Sequence, residues 1–201
     1  MRYAFTVPAF ALAGALVTTA QAPTVLLNET FDDNGRGWRE QNSPVIQTEV
    51  SDGAFRMQSI IQRQQYVVQD VGLDPTADFD IECRVEIIGG NAEWPVGLLW
   101  GHENGANFLE YLIWMDGRLR IDRNSSNTSE ELMSTIASAD IATGQVTNTL
   151  KLSRRGGRLT FSLNGVEQGE IPFDIPIGPR VGFVVWNEIE VRFDDFVVTQ
   201  Y

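Results

Sequence analysis

The sequence predicts an all-β protein built as a two-sheet antiparallel β-sandwich. Its extended runs alternate polar and apolar residues, tight-turn residues separate those runs at short spacing, and apolar residues at helical spacing are hard to find. The alternation is cleanest at Asp78-Phe79-Asp80-Ile81-Glu82-Cys83-Arg84-Val85-Glu86-Ile87. On a strand, Phe79, Ile81, Cys83, Val85 and Ile87 point to one side, and Asp78, Asp80, Glu82, Arg84 and Glu86 to the other. Slipping the register by one residue would bury the charged set, so the strand's orientation is fixed.

From the start of the chain, Met1-Arg2-Tyr3 leads into an uncharged run from Ala4 to Val17, then Thr18-Thr19-Ala20-Gln21-Ala22. A basic start, an apolar run and a small-residue exit read as a secretory signal peptide over residues 1–22, which implies export to the periplasm or the extracellular space. Pro8 and Gly14 interrupt the run, and it falls short of the ~20 residues of a spanning helix, so no membrane span is expected after cleavage. Ala20-Gln21-Ala22 fits cleavage before Pro23; cleavage after Ala20 is the alternative. Residues 23–201 then form one domain, long enough for a core of its own.

Extended runs follow at Val25–Phe31, Val45–Val50, Ala54–Ser59, Gln65–Asp70, residues 78–87, Val96–His102, Phe108–Met115 and Arg118–Arg123. Leu150–Arg154, Arg158–Leu163, Val181–Trp186 and Val191–Thr199 complete the set. Asp116-Gly117 and Asn164-Gly165, each between alternating runs, predict two-residue hairpins with positive φ at both central positions. Asn124 to Thr147 is rich in Ser, Thr, Asn and Ala and reads as a long loop with a short helical turn near Glu130–Ile136. Near the end, Phe193 and Phe196 are three apart and would face opposite ways on a regular strand, so burying both requires a bulge at Asp194-Asp195.

Several of these segments carry a resemblance. They are Phe31-Asp32-Asp33 to Gly37-Trp38, Asp52-Gly53-Ala54-Phe55-Arg56-Met57, Gly97-Leu98-Leu99-Trp100-Gly101 and Asn107-Phe108-Leu109-Glu110-Tyr111. Asn148 to Leu152, Leu159 to Gly165, Val181-Gly182-Phe183-Val184 and the closing Val191-Arg192-Phe193-Asp194-Asp195-Phe196 follow in order. Together they resemble the concanavalin A-like lectin/glucanase jelly rolls of bacterial exported proteins, a group that includes laminin-G-like and 3-keto-disaccharide hydrolase-like domains. The resemblance covers nearly all of residues 23–201 and implies a concanavalin A-like β-sandwich; that fold hosts lectins, glycosidases and adhesion modules alike.

Composition excludes other classes. A net charge of −12, from 15 basic and 27 acidic side chains, repels nucleic acid and anionic lipid. Cys83 is the only cysteine, so an intrachain disulfide is impossible, and its apolar parity reads as a buried, inert thiol. With His102 the only histidine, zinc ligation is excluded, and Gly-x-Ser-x-Gly, Walker and dinucleotide motifs are absent. The Glu-x-Asp-x-x-Glu strand that retaining glycosidases of this fold usually carry is absent too. The acidic row Asp78, Asp80, Glu82 and Glu86 reads as a solvated outer face, and no catalytic residues are assigned. Asp32, Asp33 and Asn34, with Asp194 or Asp195, could hold a structural calcium, although turn formation explains the Asp-Asp-Asn-Gly run equally well.

The candidate ligand site is aromatic. On residues 107–115 one parity gives Leu109, Tyr111, Ile113 and Met115, expected in the core, and the other gives Phe108, Glu110, Leu112 and Trp114. A carboxylate should not be buried unpaired, so the Glu110 face is expected to open to solvent or a groove. On residues 96–102, Val96, Leu98, Trp100 and His102 share a face. Convergence of Trp100, His102, Glu110 and Trp114 would set flat apolar platforms beside hydrogen-bonding groups, the surface a sugar ring requires. In the competing reading these tryptophans fill the core. The favoured function is an exported, non-catalytic sandwich binding a glycan or small ligand. A glycoside-active hydrolase of the 3-keto-disaccharide hydrolase type is the alternative, and a structural or adhesive module is a third.

Overall fold

The computed structural model describes residues 22–126, 128–173, 175 and 177–201. All of the predicted signal peptide except Ala22 lies outside the described residues. The elements are strands β1 (Thr24–Glu29), β2 (Gln41–Asn42), β3 (Ile46–Ser51), β4 (Ala54–Ser59), β5 (Gln65–Asp70), β6 (Phe79–Gly89), β7 (Val96–Asn104) and β8 (Asn107–Ile113). They continue with β9 (Arg118–Ser125), β10 (Thr128–Ala137), β11 (Thr147–Arg155), β12 (Arg158–Leu163), β13 (Val166–Pro172), β14 (Arg180–Val185) and β15 (Glu190–Gln200). Every pairing among them is antiparallel, and they form two sheets. The larger runs β13-β12-β11-β6-β15-β4-β3-β2, with β1 added against β15; the smaller runs β10-β9-β8-β7-β14-β5. This is the predicted all-β sandwich.

Alternation places the core between the sheets. Phe79, Ile81, Cys83, Val85 and Ile87 are all buried, at 0 to 4 % exposure, against Leu98, Leu109, Tyr111, Ile121 and Phe183 of the smaller sheet. At the centre the Phe183 and Phe193 rings stack 4.0 Å apart at 9°. Each fully buried ring of this size contributes about 1.5–3 kcal/mol. The predicted bulge is present: Asp195 has φ 46°, the register of β15 on β6 shifts between Asp194 and Val197, and Phe193 and Phe196 are both buried. The bulge also divides one edge of β15 between two partners, β4 along Glu190–Phe193 and β1 along Phe196–Gln200.

Polar residues of the opening loop carry its aromatics into that core. Trp38 N–H donates to Asn34 Oδ1 at 2.6 Å while Asn34 Nδ2 donates to Trp38 O at 2.9 Å. Glu29 receives Phe31 N–H at 3.1 Å and Trp38 Nε1–H at 3.0 Å. Phe31 and Trp38 are thereby buried against Phe55 and Phe183.

Three local expectations are corrected. Residues 124–147 are not mainly loop, and no helical turn forms near Glu130–Ile136: Thr128–Ala137 is the edge strand β10, paired with β9. Its side chains are exposed or half-buried throughout, so the apolar alternation that marks a half-buried strand is missing. Val166–Pro172, the edge strand β13, escaped notice for the same reason. Finally, the Asp116-Gly117 hairpin has a three-residue loop, Met115 to Gly117, in which Gly117 alone has positive φ, 92°. Asn164-Gly165 makes the two-residue turn expected, with φ of 51° and 82°.

Candidate functional site

The outer face of the smaller sheet has a core of its own. Leu99, Phe108, Leu112, Trp114 and Val184 form a second buried cluster, separate from the main core, with Tyr66, Val68 and Trp186 packed on it. The predicted parity of β8 is thus correct: Leu109, Tyr111 and Ile113 face inward and Phe108, Leu112 and Trp114 outward. Glycines keep this floor low. A Cβ on Gly97 would lie 1.8 Å from Tyr111 O, and one on Gly182 would lie 2.0 Å from Val67 O.

Of the four predicted site residues, three share this face and one does not. Trp100 is fully buried in the main core, 6.4 Å from the Phe161 ring, and is no platform. The break comes at Gly101, whose φ of 64° coincides with a register shift: Val181 pairs with Trp100, but Arg180 pairs with His102. This one-residue bulge turns His102 to the outer face, where its ring lies 5.4 Å from Tyr66 and 6.0 Å from Phe108. Trp114 lies on the right face but is only 5 % exposed. The Arg118 and Arg120 guanidinium groups sit 5.1 and 5.4 Å from its ring centroid, and its Nε1–H donates to Glu93 O at 3.0 Å. It is a packed residue, not an open platform.

Glu110 departs from expectation differently. It is 1 % exposed, so its face is not simply open, but it is paired: Asn124 Nδ2 donates to it at 2.8 Å, and the Gln64 amide donates to its other oxygen. Gln64, at the end of the irregular segment 60–64, reaches over the carboxyl from outside the sheet. Burial pushes the Glu110 carboxyl up to about 8; facing Asp122 adds to the rise, while Asn124 and Gln64 oppose it. That Glu110 partner was missed in the sequence. Asp122 pairs directly with Glu110 across β8 and β9, is also 1 % exposed, and takes a 2.6 Å ion pair from Arg120. Burial raises its carboxyl as well, against the pull of Arg120. The signal was present: Leu119 and Ile121 face inward, which sends Arg120 and Asp122 to the Glu110 side.

Several buried polar atoms here have no hydrogen-bond partner among the described residues: Asp122 Oδ1, Arg120 Nε and both ring nitrogens of His102. Burial lowers the His102 pKa, and nearby Arg180 lowers it further, so the neutral ring offers one donor and one acceptor. Buried polar groups are nearly always paired, so four such atoms on one face mark it as built for polar company.

The remaining acidic residues make contacts of their own. The acidic row at the start of and along β6 is neutralised from neighbouring strands: Arg154 meets Asp78, Arg155 meets Asp80 at 2.9 Å, Lys151 meets Glu82 at 3.1 Å, and Arg192 meets Glu86. Asp33 accepts Gly35 N–H, Thr30 donates to Asp32, and Asp194 and Asp195 lie against Arg84. Among the described residues, no group of three or more His, Cys, Asp or Glu is placed to hold a metal ion. No helix among the described residues is long and apolar enough to cross a membrane.

No protein-family model matches the chain, and no curated protein matches it. Solved structures do. The carbohydrate-binding module CBM66 from Bacillus subtilis superposes with a TM-score of 0.60 at 12 % identity, covering 89 % of this chain and 95 % of that one. A protein of unknown function with a galectin-like fold, also from Bacillus subtilis, gives 0.62 at 14 %, covering 88 % and 96 %. A putative glycosyl hydrolase from Parabacteroides distasonis gives 0.56 at 14 %, covering 83 % and 89 %. The chain therefore has the concanavalin A-like jelly-roll fold that its motifs resemble.

Proposed function

We propose that the chain is an exported, non-catalytic sandwich that binds a carbohydrate on the outer face of its smaller sheet. One observation carries the reading: polar atoms of Arg120, Asp122 and His102 without a hydrogen-bond partner among the described residues lie on the same face as the buried apolar cluster of Leu99, Leu112 and Val184. A sugar ring is apolar across its C–H face and carries donor-acceptor hydroxyls at its rim, so it complements both parts at once. Carboxylate, guanidinium and neutral imidazole between them accept from and donate to those hydroxyls. Binding requires the side chains over this face to move: Gln64, whose amide is bonded to Glu110, and Tyr66, which packs on the apolar cluster. The likeness to a carbohydrate-binding module supports the reading at the level of fold.

A glycan array probed with the protein, and with Asp122→Asn and Arg120→Ala, tests it. A discrete set of glycans should bind the wild type and be lost in both variants while their folds persist. Absence of any bound glycan overturns the reading.

A specific observation favours glycoside hydrolysis as a second reading. Glu110, at about 8, would hold a proton at neutral pH, as a general acid must, with Asp122 directly opposite. Directly paired strand residues place their Cβ atoms about 5 Å apart, which puts the two carboxyls side by side on one face. Products released from array-positive glycans by the wild type but not by Glu110→Gln would establish this reading over the first.

A further inference from the structure

The outer face does not stop at the Glu110–Asp122 pair. Towards its other end, Val96 pairs with Ile113 on one side and Val185 on the other, and Trp186 N–H donates to Pro95 O at 3.2 Å. Trp114, Pro95 and Trp186 thus lie level across three strands. Four residues separate this level from Glu110, about 13 Å along the strand. Trp94, in the loop before β7, sets its ring parallel to Trp186, at 5° with centroids 6.3 Å apart, and both are half-exposed, unlike Trp114.

The backbone that follows Trp186 is strained. Asn187 and Glu188 are consecutive non-glycine residues with positive φ, 32° and 59°. Gly90 is locked against them, since a Cβ there would meet Glu188 O at 2.4 Å. Such conformations are costly and persist where the surroundings fix them, often at ligand sites. Polar atoms are orphaned here too. Asn187 is 7 % exposed, and among the described residues neither its Oδ1 nor Trp186 Nε1 has a hydrogen-bond partner. The donor belongs to one ring of the pair and the acceptor to the residue that follows it, so this end, like the Glu110 end, holds both kinds of unpaired polar group.

We propose that Trp94, Trp186 and Asn187 form a second saccharide subsite. The ligand is then an extended oligosaccharide laid along the strands, not a single terminal sugar. This rests on the glycan reading above and deepens it. One ring stacks on the tryptophan pair, with its hydroxyls on Trp186 Nε1 and Asn187 Oδ1, while a residue further along the same chain occupies the Asp122–His102 end.

Calorimetric titration of the protein with cello-, xylo- and malto-oligosaccharide ladders, from monosaccharide to hexasaccharide, tests the proposal. Affinity for the ladder that binds should rise with length and then level off. Trp94→Ala and Trp186→Ala should each weaken hexasaccharide binding about tenfold, the loss of one aromatic stacking contact, and leave the shortest ligands unchanged. If an alanine variant does not fold, Trp186→Phe, which keeps the packing and removes the indole donor, should still lose affinity for the long ligands alone. Affinity that is flat with length, or long-ligand binding untouched by Trp186→Phe, overturns the second subsite while leaving the glycan reading intact. If no member of any ladder binds, both fall.

Discussion

Glu110 and Asp122 face each other across β8 and β9, six residues to either side of Asp116 in the connecting hairpin, and each is 1 % exposed. Two carboxyls held this close out of water cannot both ionise cheaply. The fold accommodates them asymmetrically: Asp122 has the Arg120 guanidinium, and Glu110 has only neutral amide donors.

That asymmetry sets a pH dependence. The Glu110 carboxyl is raised from 4.5 to about 8, so the folded state holds its proton where the unfolded chain has released it. Its contribution to stability is fully present below about pH 4.5 and is lost as pH rises through about 8. The melting temperature of the wild type should therefore fall across that window relative to Glu110→Gln, which has no proton to lose. Parallel curves for the two proteins would mean that Glu110 is ionised in the fold.

Trp114→Ala separates a packed tryptophan from a binding platform. With its indole N–H on Glu93 O and two guanidinium groups against its ring, Trp114 is structural. Truncation should cost about 3–5 kcal/mol in denaturant unfolding. A change near zero would return Trp114 to the role of an exposed platform.

What the sequence revealed, and what it hid, follows from where side chains meet the core. The parity of β8 was legible because one charged residue, Glu110, marks the face that is not the main core. The bulge at Asp194-Asp195 was legible because two phenylalanines three apart cannot both be buried without it. The bulge at Gly101 left no such trace: a period-two reading runs straight through it and puts Trp100 and His102 together, and the structure sets them on opposite faces. The burial of Glu110 was hidden because its cover, Gln64, comes from 46 residues away. Strands β10 and β13 were hidden because an exposed edge strand needs no apolar face.

Gly97→Ala tests the close approach that keeps the outer floor flat. The added Cβ would sit 1.8 Å from a carbonyl oxygen of the neighbouring strand, where only backbone movement could make room. A loss of about 3 kcal/mol or more is expected from denaturant melts, at the upper end of overpacking costs. A variant within about 1 kcal/mol of wild type would contradict so close a strand contact.

The most direct test of the account is to map amide chemical shifts while an array-positive glycan is titrated into the protein. The perturbed amides should cluster on β7, β8, β9 and β14 around Leu99, Glu110, Leu112 and Asp122. Shifts concentrated instead on the outer face of the larger sheet, around Asp80, Glu82 and Lys151, would contradict it.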